Sequence, residues 1–260
     1  MRILTINKHS YPVLFFLLFA GSYPILTAQN YDTQLWSSAY QELQISPKFS
    51  ATLREEIRFQ NNISQLRLIS LEISEAYRFN KWFKAGLGYR NIQKVDSMNG
   101  GTPVFDTEKK IMMNLYFYHR IGKMTLMYRQ RLQYERDHIF SSEQGEQMKW
   151  QSRNKITLRY DSLKKITPYF AVELRWQIDN PKLVEADLKW HRARWELGCY
   201  YKVSRRSSAG IFALYQHEWN MLPEDQDYLY VVGFTFYTQF IRTKWAKTEK
   251  QLRFPDEGPE

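Results

Sequence analysis

From Trp150 to Ile178 the chain alternates residue by residue between two kinds of side chain. Trp150, Ser152, Asn154, Ile156, Leu158 and Tyr160 fall on one side of an extended run, and Gln151, Arg153, Lys155, Thr157 and Arg159 on the other. After a short link, Phe170, Val172, Leu174, Trp176 and Ile178 share a side against Tyr169, Ala171, Glu173, Arg175 and Gln177. Successive strand residues point to opposite faces, so a period of two predicts a β-hairpin with one apolar face and one charged face.

The same pattern recurs along the chain. Strands are predicted over 35–45, 49–59, 66–79, 82–93, 109–121, 124–135, 150–160, 169–178, 186–203, 208–219 and 228–240. Short turns fall near residues 47, 80, 122, 163 and 205. Longer polar connections fall near 62, 100, 141, 182 and 224, including one over Lys94–Asp106. One end of the structure is therefore tight and the other is looped. Bacterial outer-membrane barrels have this asymmetry, with short periplasmic turns and longer outer loops. Aromatics cluster toward both strand ends: Phe59, Tyr134, Trp150, Trp176, Trp219 and Tyr228 at the looped end, and Tyr77, Phe79, Tyr160, Tyr201 and Phe240 at the other. Two such belts match two membrane interfaces. The fold class predicted is all-β, an antiparallel transmembrane barrel of about 10–12 strands. The run list gives eleven, but fully antiparallel closure requires an even number, so ten or twelve is preferred, with twelve ahead.

Composition narrows this only partly. Mean hydropathy is −0.57 while aromatics reach 16%. No apolar run of about 20 residues follows the first thirty positions, which argues against a helical membrane protein. A soluble sandwich could alternate as a barrel does, burying its apolar face on a second sheet. Residues 1–28 read as a secretory signal: Arg2 and Lys8, an apolar stretch over Val13–Ala20, and Leu26-Thr27-Ala28 before Gln29. Export then places residues 29–240, the barrel, in a Gram-negative-type outer membrane, with 241–260 as a polar, periplasmic C-terminal tail. The formal charge is +10, which suits phosphate-bearing partners such as lipopolysaccharide. The basic residues alternate with apolar ones and form no run, so nucleic acid is not expected. Cys199 is the only cysteine and can form neither an intrachain disulfide nor a cysteine zinc cluster.

The last strand, Val231 to Phe240, carries Gly233, Phe236 and a final aromatic. That arrangement resembles the signal read by the barrel assembly machinery, although Thr238 replaces an apolar residue. Trp36, the strand Leu53-Arg54-Glu55-Glu56-Ile57-Arg58, Arg129-Gln130-Arg131-Leu132, Arg153–Tyr160, Pro168–Glu173 and Arg192–Tyr200 occur in order. Together they resemble the outer-membrane barrel family filed as domain of unknown function 2490, over roughly residues 36 to 240. The resemblance implies a membrane barrel and no catalytic residues.

With the apolar face in lipid, the other face lines the bore. The candidate lining residues are Arg54, Glu56, Arg58, Arg129, Arg131, Glu135, Arg153, Arg159, Glu173, Arg175, Arg192, Arg194 and Glu196, with Glu72 and Arg78 beside them. Side chains this long nearly fill so narrow a barrel. One reading is an interlocked Arg–Glu network that closes the bore, since unpaired buried charge is costly. A second is a narrow passage favouring anions. A third is a lipid-modifying enzyme built on a serine and a histidine, for which His138 with Ser141 and Ser142, or His217 with Glu218, are the candidates. Glu224, Asp225 and Asp227 lack the spacing of a calcium loop. No cofactor or metal is expected, and the oligomeric state stays open.

Overall fold

The computed structural model describes residues 31–99, 102–136, 148–161, 163–179, 190–218 and 227–241. The signal segment 1–28 and the tail beyond Ile241 lie outside the described residues. Eleven strands follow one another in the chain: β1 (Tyr31–Gln44), β2 (Phe49–Gln60), β3 (Gln65–Arg78), β4 (Phe83–Asn99), β5 (Thr102–Ile121), β6 (Met124–Arg136), β7 (Met148–Tyr160), β8 (Ile166–Asp179), β9 (Trp190–Lys202), β10 (Ser207–Glu218) and β11 (Asp227–Ile241). Each pairs with its chain neighbours, and the sheet closes on itself as a barrel.

The preference for an even number is corrected by the closing seam. Ten antiparallel pairings leave the first and last of eleven strands running the same way. They pair in parallel, from Tyr31 opposite Tyr228 to Gln44 opposite Ile241. Closure requires only that every backbone edge be paired, and a parallel ladder meets that requirement as well as an antiparallel one.

Turn chemistry sets the tight end. Asn80 Oδ1 accepts hydrogen bonds from the backbone N–H groups of Trp82 and Phe83, each at 2.9 Å. Gly122 takes φ +58° in the connection between Ile121 and Met124. Ser46 Oγ accepts from the Phe49 N–H at 3.0 Å. At the opposite end the predicted loop over Lys94–Asp106 is mostly strand instead. β4 and β5 continue their pairing out to Asn99 opposite Thr102, so the extra length is an extended hairpin. The polarity of this stretch predicts a loop, but strand ends beyond the lipid need no apolar face. The connection at Asn61–Ser64 is also compact, with Asn61, Asn62 and Ile63 in left-handed backbone. All four register shifts, at Arg58/Phe59, Val95/Ser97, Trp150/Gln151 and Arg175/Trp176, lie toward this end. Bulges at a barrel rim bend strands without disturbing the packed middle.

The outer face is apolar around nearly the whole circumference. Ile57, Ile73, Leu87, Ile111, Ile156, Phe170, Ile211, Phe234 and Phe236 are all exposed there. The inward positions between them are buried, many of them charged. This inverts the arrangement of a water-soluble core, and a lipid surround accounts for it.

Candidate functional site

The interior is the concentration of chemistry in this chain, and the alternation of each strand builds it. On β2 the inward face presents Arg54, Glu56 and Arg58 in succession. Both neighbours on that face pair with Glu56, and Arg90 reaches it from β4 at 2.9 Å. Arg90 also donates to Ser70 Oγ at 2.8 Å. Glu72 on β3 lies 3.6 Å from Arg54 and 3.6 Å from Arg131 of β6. Arg131 Nε donates to Asn114 Oδ1 at 2.6 Å.

Glu173 on β8 is the densest node. Arg129 from β6 reaches it at 2.9 Å, Arg153 from β7 at 2.8 Å, Arg175 from its own strand at 3.3 Å and Arg194 from β9 at 3.7 Å. Arg153 donates to both carboxylate oxygens, and fork-shaped guanidinium groups suit such shared recognition. Lys155 pairs with Glu196 at 2.8 Å. Toward the extended hairpin, Lys110 joins Glu108 at 3.2 Å and Glu135 at 2.6 Å. Arg192 pairs with Glu218 at that same end, and Arg159 with Asp161 at the tight end. All thirteen candidate lining residues therefore sit on inward positions, with Arg159, Arg175 and Arg192 half-buried and the rest buried. At mid-height Arg129 and Arg131 are 0% exposed and Glu56 1%.

On β10, β11 and β1 the interior carries no buried charge among the described residues and gathers apolar side chains among glutamine, serine and threonine, which a uniformly charged inner face does not predict. Trp36, Tyr169, Tyr200, Phe212, Leu214, Leu229 and Val231 form one buried cluster. Tyr169 and Tyr200 stack at 5.1 Å between ring centres. Gly233 faces inward opposite Phe212, and a Cβ there would lie 1.9 Å from the Phe212 ring. Gly198 likewise makes room for Tyr169, whose hydroxyl would meet a Cβ at 2.6 Å. Trp36 joins the two sides: its ring lies 3.7 Å from the Arg58 guanidinium and 5.3 Å from that of Arg194, at cation–π distance. Its Nε1 donates to Gln34 Oε1 at 2.9 Å.

Arg90, Glu108, Lys110 and the apolar cluster were not among the candidates. Arg90 follows Gly86 and Gly88 on its inward face, so no charged repeat marked it. Among the described residues, two of the recesses lie toward the tight end. One is bordered by Met127, Lys155, Arg159, Tyr169 and Tyr200, the other by Tyr40, Glu42, Ser74, Lys84, Tyr116 and Tyr237. Their free space, about 20 and 30 Å³, holds a water molecule or two.

The enzymatic candidates separate. His217 stands on β10 on the outward face against the Tyr228 ring, at 4.8 Å between centres, while Glu218 turns inward to Arg192. His138, Ser141 and Ser142 lie outside the described residues, as do Glu224 and Asp225. Among the described residues no group of three His, Cys, Asp or Glu side chains is placed to hold a metal ion.

A closed sheet with a lipid-compatible exterior and an ion-paired interior defines a transmembrane β-barrel. The chain belongs to the family described as "Protein of unknown function (DUF2490)", whose model matches residues 33–226. A comparison with curated proteins gives no match. Among solved structures the chain is similar to the NanC porin, with 12% identity and a TM-score of 0.45, over 71% of this chain and 86% of that one. It is also similar to the β domain of the Bordetella autotransporter BrkA, with 9% identity and a TM-score of 0.43, over 76% of this chain and 93% of that one.

Proposed function

We propose that this protein is a structural barrel of a Gram-negative-type outer membrane whose bore is filled by its own side chains. In this reading β1–β11 cross the bilayer, and lipid and lipopolysaccharide surround them. The tight turns face the periplasm, and the β4–β5 hairpin projects outward. The observation that carries the reading is the Glu173 node. Four guanidinium groups from four strands meet one buried carboxylate in the middle of the strands. Opening a path there would strand several charges, at a cost of several kcal/mol, on the order of 3–5 for each broken buried pair. The filled bore makes the barrel rigid and closed, suited to anchoring or surface display. Liposome swelling tests this: vesicles carrying the folded protein should swell no faster in a small neutral sugar or a small organic anion than empty vesicles. Swelling in either solute would count against a closed bore.

One observation favours a second reading, a narrow passage for anions. Among the described residues, the buried interior holds eight arginine and lysine side chains against six glutamates. A net positive interior attracts anions. Swelling in the anion alone, with none in the sugar, would favour it.

A further inference from the structure

The lipid-facing surface carries a polar break on the first two strands. Glu55 on β2 points outward between Leu53 and Ile57 and is exposed. It lies opposite Ala39 of β1 and Leu71 of β3, in the middle of the apolar belt. On β1 the outward positions flanking Ala39 are Ser37 and Gln41, both exposed. Ser37, Gln41 and Glu55 make no side-chain hydrogen bond or ion pair among the described residues. An ionisable group facing hydrocarbon without a partner is costly and marks a functional surface.

A second group of outward polar residues provides the contrast. On β6 and β7, Tyr128 donates to Asn154 Oδ1 at 2.8 Å, and Asn154 Nδ2 lies 3.4 Å from Ser152 Oγ. Those three uncharged side chains satisfy one another within one barrel, and the exposed Gln130 beside them carries no charge. The β1–β2 group has donors on one strand, the Ser37 hydroxyl and Gln41 amide, and an acceptor on the other, the Glu55 carboxylate. Both sets point outward, and neither meets the other. The surface dips at the level of Glu55, because the outward residue opposite it on β1 is Ala39. Small side chains let two membrane surfaces approach closely.

We propose that β1 and β2 form a dimer interface with a second copy of this chain, in which Glu55 accepts hydrogen bonds from Gln41 and Ser37 across the interface. A two-fold axis along the membrane normal lays β1 of one copy against β2 of the other and preserves height and orientation. Because Glu55 lies opposite Ala39, the partner's Ser37 and Gln41 flank its level on either side. The patch is thus self-complementary, as an isologous contact requires. The closed ring of two satisfies both carboxylates at once and leaves the aromatic faces in lipid.

The test uses the full chain in membranes, in a Cys199→Ser background. Ser37→Cys treated with a short bifunctional maleimide should give a cross-linked species with the mass of two copies, whereas Ile156→Cys, on the far side of the barrel, should give none. In detergent, Glu55→Leu and Gln41→Leu should each weaken the dimer about tenfold or more, as loss of hydrogen bonds to a charged group does. Both replacements suit a lipid-facing position, so the barrel still folds, checked by heat-modifiable migration. Glu55→Gln should retain most of the dimer. Equal cross-linking from Ser37→Cys and Ile156→Cys would overturn the proposal. So would a folded protein that is monomeric by native mass, or a cross-linked product whose mass is one copy plus a different protein.

Discussion

On β10, β11 and β1 the buried interior holds Phe212, Leu214, Leu229, Val231 and Trp36 among uncharged polar side chains, whereas every buried arginine, lysine and glutamate among the described residues lies on β2 to β9. Both sides exclude solvent equally well, and they do so by different physics. Each apolar side chain contributes independently, about 1.5–3 kcal/mol when fully buried. The charged side gains little net energy from each pair, because desolvation offsets attraction. Its vulnerability is nevertheless greater, since removing one acceptor strands several donors. The apolar side therefore adds stability residue by residue, whereas on the charged side the loss of one acceptor is felt on several strands at once. Trp36 belongs to both, packed in the cluster and lying under Arg58.

That comparison breaks first at Glu173. Glu173→Leu should cost about 3–5 kcal/mol, because four arginines lose a shared acceptor. Urea unfolding in lipid, followed by heat-modifiable migration, measures it. Glu173→Gln should cost less, since an amide oxygen still accepts. Next, the same strand separates inside from outside. Leu174→Arg puts a charge on the lipid face and should cost about 2–4 kcal/mol. Arg175→Leu removes the most exposed of the Glu173 partners and should cost less by the same assay, with three arginines still in place. On the apolar side, Gly233→Ala drives a methyl into the Phe212 ring and should cost about 1–3 kcal/mol. A combined Gly233→Ala, Phe212→Leu chain should recover part of that loss. The smallest effect belongs to Tyr237→Phe, which deletes the hydroxyl that donates to Glu42. Glu42 is only half-buried, so water replaces much of the bond and about 1 kcal/mol is lost.

Much of this architecture was legible in the sequence. Period-two alternation placed β6 and β7 within two residues of their ends, started β8 three residues late, and assigned the inward faces of Arg153 and Glu173. It failed where both faces of a strand are apolar. In Val231-Val232-Gly233-Phe234 the pattern carries no sign that Val231 packs inside while Val232 and Phe234 face lipid. The apolar cluster was invisible for that reason. Gly233 was noted as part of a closing signal, yet its steric reason, the Phe212 ring, is a contact across strands that no local spacing reveals. Strand parity failed for a topological reason, since the odd count is resolved only at the parallel seam of β1 and β11. At Lys94–Asp106 polarity was read as loop, because hydropathy reports contact with lipid and not hydrogen bonding between strands.

On the proposed reading, the Glu173 node and the apolar cluster together close the bore. The most direct test is ionic current through the folded, full-length protein in a planar bilayer, with insertion verified separately. No steady current above that of the bare bilayer is expected at either polarity. Stable conductance steps, whether anion-selective or not, would contradict it.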